Sequence, residues 1–260
     1  MSARPASGVL TISIDWSADA ADLDLVAQRA MDQLDGRLAV LLDTLKLPAT
    51  LAVADPAVTS RIEHLSSSSM QHEIAILGDA SWLGREIPPS HFARELARRI
   101  EGGSAAGHAV STLVVNSPAL DHAGLAARHG ITAVRHVRTD NSSSNRGLRS
   151  RALQFGLWSF PVTIRLPGGS RWWPGGGGAR SARARIDQTI DQAGLAQLVI
   201  DAPRMAAKSA SFRVLERVLR HVERRRNSGL LEVLTIRAMA ARLSSQRQGQ
   251  PSRSILQPAA

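Results

Sequence analysis

Three acidic residues stand where short apolar runs give way to polar sequence: Asp15 after Val9 to Ile14, Asp79 after Ile74 to Leu77, and Asp201 after Leu198 to Ile200. A carboxylate at the end of a buried strand can abstract a proton, ligate a hard cation or pair with arginine. Three of them at one place repel each other unless a cation or guanidinium joins them. Thirty of the thirty-two basic residues are arginine, Lys46 and Lys208 being the two lysines, so an Arg-Asp network satisfies such a cluster more simply than a metal does. No two of the eight histidines lie three or four residues apart. His122 and His129 share a helix face, but seven residues separate them by about 10 Å along the axis, too far for one ion. With no cysteine there is neither a thiolate ligand nor a Cys nucleophile. No metal and no cofactor is therefore expected. A Gly-x-Ser-x-Gly elbow is absent, and Gly175 to Gly178 lacks the Lys-Ser/Thr of a phosphate-binding loop. Trp16, Trp82, Trp158 and one of Trp172 or Trp173 fall at strand ends or in loops. Indoles there either stack on sugar rings or fill the end of a barrel.

The elements that carry these residues alternate. Val9 to Ile14 reads as a strand, and Asp22 to Leu45 as a helix whose leucines recur at three and four. Thr50 to Val53 is a strand, Pro56 to Leu65 a helix and Ile74 to Leu77 a strand. Next come a helix from His91 to Glu101 capped by Ser90, a strand from Val110 to Val115, a helix from Leu120 to His129 and a strand from Ile131 to Val134. After a polar stretch from Thr139 to Ser150, Phe155 to Ile164 resumes an apolar pattern. Gly168 to Gly178 holds six of the twenty glycines and reads as a surface loop or lid. A helix near Ile186 to Gln192, the Leu198 to Ile200 strand, a helix from Ser209 to Arg226, a strand from Gly229 to Ile236 and a helix to Leu243 complete the series. Strand-helix alternation with short connections implies parallel strands covered by helices, and about seven units favour a distorted (β/α) barrel over an open sheet. Its chemistry belongs at the carboxyl ends of the strands, where Asp15, Asp79, Asn116, Trp158 and Asp201 are expected to cluster. The expected organisation is a polar leader over 1–8, one barrel domain over 9–243 and a disordered tail over 244–260.

Three segments in this order resemble the polysaccharide deacetylase (NodB-homology) family: Gly8 to Asp15, His72 to Trp82 and Leu198 to Asp201. The resemblance covers roughly Gly8 to Leu243 and implies the family's (β/α) barrel. The family's first strand ends Thr-Phe-Asp-Asp-Gly. Here Ser13-Ile14-Asp15-Trp16-Ser17 puts Asp15 at the general-base position and Trp16 where a metal-binding Asp stands. His72-Glu73-Ile74 matches the opening of the second motif, whose two metal-binding histidines fall on Leu77 and Ser81. Asn116-Ser117-Pro118 meets the Arg-x-Pro-x-Gly motif without its Arg. Leu198 to Asp201 meets the Leu-x-His motif with Asp201 at the general-acid position. An indole cannot ligate zinc, and the resemblance thus implies the scaffold with its metal site rewritten.

At 43% hydrophobic the 260-residue chain can bury one sizeable core. No apolar run reaches the roughly 18 residues of a membrane span, and the polar leader passes straight into a strand pattern, which predicts a cytoplasmic protein without membrane association. The formal charge of +10 is spread over several helices without interleaved aromatics, which disfavours nucleic acid and fits a solvated Arg surface. The expected partner is a glycan or other small polar ligand at the barrel mouth, held by Trp16, Glu73, Asp79, Trp82, Asn116 and Trp158. The alternatives are a hydrolase using Asp15 with a different ligand set, and a partner-binding scaffold.

Overall fold

In the computed structural model, which describes residues 8–16, 24–58, 62–117, 120–136, 151–167 and 177–248, strand β1 (Gly8–Trp16) is buried along its whole length. Successive strand side chains point to opposite faces. Leu10, Ile12, Ile14 and Trp16 join the core formed with helices α1 (Leu25–Leu45), α5 (Gly177–Asp191) and α7 (Ser209–Asn227). Val9, Thr11, Ser13 and Asp15 face the other way, into the space that the curled sheet encloses.

One edge of β1 pairs in parallel with β9 (Leu195–Asp201). Its other edge is divided, Gly8 to Thr11 pairing with β10 (Leu231–Leu234) and Ser13 to Trp16 with β2 (Thr50–Val53). Parallel pairing continues from β2 through β3 (Glu73–Gly78), β4 (Thr112–Val115) and β5 (Ala133–His136) to β7 (Trp158–Pro161), and from β9 to β8 (Ile164–Leu166). The short β6 (Arg151–Ala152) pairs antiparallel with β7.

Strands β7 and β8 thus belong to opposite sides of the sheet, yet only Val162 and Thr163 separate them. Three Cα steps span at most about 11 Å, so the two sides must curl towards each other. Thr163 fastens the crossing: its N–H donates to the Gln197 carbonyl at 3.2 Å and its Oγ1 accepts from the Gln197 N–H at 2.7 Å. Taking β7 and β8 as one interrupted strand, the row β1, β2, β3, β4, β5, β7–β8 and β9 has seven parallel members, the distorted barrel expected from the strand-helix alternation.

The helices cover this barrel and close its floor. α3 (Pro89–Ala105) starts with Pro89 in its first turn, and Ser90 lies inside the helix without the capping role expected of it. α2 (Glu63–Ser66) and α4 (Ala123–Arg128) are shorter than the apolar patterns suggested. Gly177 and Gly178 open α5, so this end of the glycine-rich segment is helical; residues 168–176 lie outside the described residues. After β9, α6 (Ala202–Ala206) leads into α7. α8 (Ile236–Gln248) runs five residues beyond the Leu243 expected as its end. Its Ile236, Met239 and Ala240 pack on Val9, Ala133 and Phe160 at the amino ends of the strands. No described helix is long and apolar enough to cross a membrane.

Candidate functional site

Strand alternation aims Asp15 into the barrel at the carboxyl end of β1, and its register partner on β9 is Asp201. Adjacent strands lie about 4.8 Å apart, so two carboxylates share one wall of the mouth. Arg135 reaches Asp15 from β5. Its Nη2 donates to both Asp15 oxygens at 2.8 Å, and the pair is almost dry, the guanidinium side chain being 0% and the carboxylate side chain 8% exposed. Burial of this kind is tolerated when the charges are matched, and losing either partner typically costs about 3–5 kcal/mol. Asp201 is engaged differently. Its Oδ1 accepts from the Arg204 N–H at 3.2 Å, capping α6, while Arg204 Nε and Arg165 Nη1 stand 3.4 and 3.9 Å from its Oδ2. The Arg-Asp network expected on composition is therefore present, with Arg135 and Arg165 as members that sequence reasoning did not name. Their signal was there: each arginine interrupts an apolar strand, and an inward-facing arginine needs a buried acid.

Of the other expected site residues, two stand at this end. Asp79 follows β3, exposed, with Oδ1 accepting from the Ser81 N–H at 2.7 Å and from the Ser81 hydroxyl. Asn116 follows β4 and is also exposed. Asp15, Asp79 and Asp201 thus share the carboxyl end, as their placement after parallel strands required.

Four residues lie elsewhere. Trp16 follows the inward Asp15 and so faces outward, buried in the core beneath the helices. Trp82 is 1% exposed, stacked against Phe92 at a centroid distance of 5.8 Å and covered by the Arg99 guanidinium at 4.5 Å. The turn that carries it folds back on β3, where a Cβ on Gly78 would lie 1.8 Å from Leu83 Cδ1, so any larger residue there requires the Leu83 side chain to move. Glu73 opens β3, in register through Thr50 with Ser13, and so lies two residues below the level of Asp15 on the amino side. Its Oε2 accepts from Thr50 Oγ1 at 2.8 Å and from the Arg237 N–H at 2.9 Å, which makes it an anchor for the start of α8. Trp158 opens β7 at the same floor and donates from Nε1 to Ser244 Oγ on α8 at 2.8 Å. In each case a residue expected at the barrel mouth lies elsewhere, Trp16 and Trp82 in the core and Glu73 and Trp158 at the amino ends of their strands. Trp172 and Trp173 lie outside the described residues.

The fold class implies a metal that these residues do not fit. Of the positions where ligands would stand, Trp16 is in the outer core, Leu77 is buried against Ala52, Ala75 and Val114, and Ser81 bonds to Asp79. Among the described residues no three His, Cys, Asp or Glu side chains form a group able to hold an ion. His136, at the end of β5, follows the inward Arg135 and so faces away from the pair, and burial holds its pKa below the ordinary imidazole value.

No family model and no curated protein matches the sequence. Solved structures do. A protein assigned as a polysaccharide deacetylase from Mycobacterium smegmatis superposes with a TM-score of 0.70 at 18% identity, over 100% of this chain and 98% of that one. PuuE allantoinase superposes at 0.61, with 12% identity over 93% and 92% of the two chains. The 4-alpha-glucanotransferase from Thermococcus litoralis gives 0.64 at 11% identity, over 90% of this chain and 40% of its own. The chain has the fold of the polysaccharide deacetylases.

Proposed function

We propose that this is a polysaccharide-deacetylase-fold domain that does not carry out zinc-dependent deacetylation and that binds a polar ligand, a glycan or a small molecule, at the carboxyl mouth of its barrel. The observation that carries the proposal is the Asp15–Arg135 pair. A general base of this kind works on a metal-activated water, whereas Asp15 is held through both oxygens by a buried guanidinium at 2.8 Å and has no set of metal ligands beside it among the described residues. The unsuitable residues at 16, 77 and 81 support the same reading. So does the composition of the mouth, where Asp79, Asn116, Asp201 and Arg165 offer donors and acceptors. Because Trp16, Trp82 and Trp158 are built into the core and floor, recognition there rests on charge and hydrogen bonding more than on indole stacking.

One observation favours a second reading, a hydrolase using Asp15: Asp15 and Asp201 are register partners facing one cavity. Metal analysis of the purified protein, combined with deacetylation assays on chitooligosaccharides and acetylated xylan, separates the two. The first reading expects no stoichiometric zinc, cobalt or nickel and no acetate release. One equivalent of metal that survives dialysis and is lost on Asp15→Ala, or acetate release abolished by the same change, would establish the second.

A further inference from the structure

Three guanidinium groups surround the Asp15 and Asp201 wall of the mouth, while Asp79 is engaged by Ser81. Arg135, Arg165 and Arg204 converge on Asp15 and Asp201, and Asp201 also spends an oxygen on capping α6. Arg135 meets Asp15 through Nη2 alone. Its Nε and Nη1 are buried and have no hydrogen-bond partner among the described residues, and the same is true of Arg165 Nη2. A buried donor left unpaired is costly, and more so on a charged group, so three such N–H-bearing atoms around one acidic pair make a strong demand for acceptors. The carboxylates cannot meet it. Asp15 already takes two bonds from Arg135, and Asp201 lies 3.9 Å from Arg165, outside hydrogen-bond range.

Resting on the reading of the mouth as a polar-ligand site, we infer that its ligand bears an oxyanion, a carboxylate or a phosphate, received by Arg165 and by the unpaired Nε and Nη1 of Arg135. The planar guanidinium suits both groups, since it presents several N–H donors in a fixed fork to oxygens of matching spacing. The unpaired donors belong to charged guanidinium groups, whose hydrogen bonds to an ionised acceptor are stronger than those to a neutral hydroxyl compound of the same shape. Arg165 is the accessible member, about one third exposed, while Arg135 forms the buried back of the site.

The test uses the full chain with galacturonate, inorganic phosphate and galactose, each titrated at matched ionic strength while the melting temperature is followed. The expected result is a saturable rise of roughly 2–4 °C with galacturonate or phosphate at about ten times its Kd, and none with galactose. Which of the two acids acts identifies the source of the oxyanion. Arg165→Gln, chosen because changing Arg135 threatens folding, should raise the Kd roughly tenfold or more with its circular dichroism unchanged. An equal response to galactose, or an Arg165→Gln protein that binds as tightly as the wild type, overturns the oxyanion assignment and leaves the polar-ligand reading standing. No response to any of the three overturns both.

Discussion

Breaking the Asp15–Arg135 pair from either side should cost far more than removing it whole. Arg135→Met leaves Asp15, its side chain 8% exposed, without the only guanidinium bonded to it among the described residues, and Asp15→Leu leaves a fully buried guanidinium whose register neighbours are Val114 and Phe160. Each single change should lower the unfolding free energy by about 3–5 kcal/mol. The double variant replaces two charges with two apolar side chains of similar bulk, so neither partner is left uncompensated. It should lose no more than about 1–2 kcal/mol, because substituting a buried pair by apolar groups is often neutral. The two changes should therefore be strongly non-additive, with a coupling of several kcal/mol, well above the roughly 0.5 kcal/mol expected of independent sites. Urea denaturation followed by tryptophan fluorescence at pH 7 measures all four corners of the cycle, with equal m-values as the check that the same transition is being read. Additive losses, or singles that cost less than about 1 kcal/mol, would show that the pair does not form in solution, and the case against Asp15 as a base would lose its foundation.

Two further perturbations test the placement of residues that looked functional in the sequence. Trp82→Ala should destabilise the protein by about 3–5 kcal/mol, lowering the melting temperature by roughly 6–20 °C, because it empties a buried site stacked on Phe92 and Arg99. A loss under about 1 kcal/mol in calorimetry would return Trp82 to the surface. His72 accepts the Ala49 N–H on Nδ1 at 3.1 Å, and burial lowers its pKa in the folded state against the opposing field of Asp43. Its unfolded value lies near 6.5, so above that pH the group contributes no pH dependence. As pH falls below about 6.5 the unfolded chain binds the proton first and stability declines until the folded pKa is passed. His72→Gln should therefore flatten the stability profile between pH 7.5 and 5.5 relative to the wild type, whose remaining slope includes the similarly buried His136. Identical slopes in denaturation at the two pH values would rule out the neutral, buried His72.

The barrel was legible in the sequence because it rests on periodicity and punctuation. Leu34, Leu38, Leu41, Leu42 and Leu45 repeat at helical spacing and do form the buried face of α1, and the short β-branched runs do become parallel strands. What periodicity could not show is where one strand changes neighbours. Phe155 to Ile164 read as a single apolar stretch, but Gln154–Gly156 is a 3-10 turn, β7 pairs with β5 and β8 pairs with β9. Pairing of this kind depends on residues far apart in the chain. The helix α8 was cut short at Leu243 for a related reason. Its last turn has polar sequence, and only its contact with Trp158 through Ser244 shows that it belongs to the fold.

The site was half legible, and the division follows from strand geometry. A one-residue difference in a strand exchanges inside for outside, so placing Asp15 in the mouth obliges Trp16 to leave it. Treating both as one site was consistent with their adjacency in sequence and inconsistent with the period of two. The amino and carboxyl ends of a parallel barrel are likewise distinguished by direction alone, and Glu73 and Trp158 each open a strand, which consigns them to the floor with α8. Arg135 was hidden for the opposite reason: the Ile131 to Val134 run ends two residues short of the strand's end at His136. Extending it to His136 puts an arginine on the inner face of a buried strand, where physical chemistry leaves few options for its partner. Among inward positions at the mouth, Asp15 offers two oxygens to one nitrogen, and the unpaired Nε and Nη1 of that guanidinium are what turn a structural ion pair into a candidate for ligand recognition.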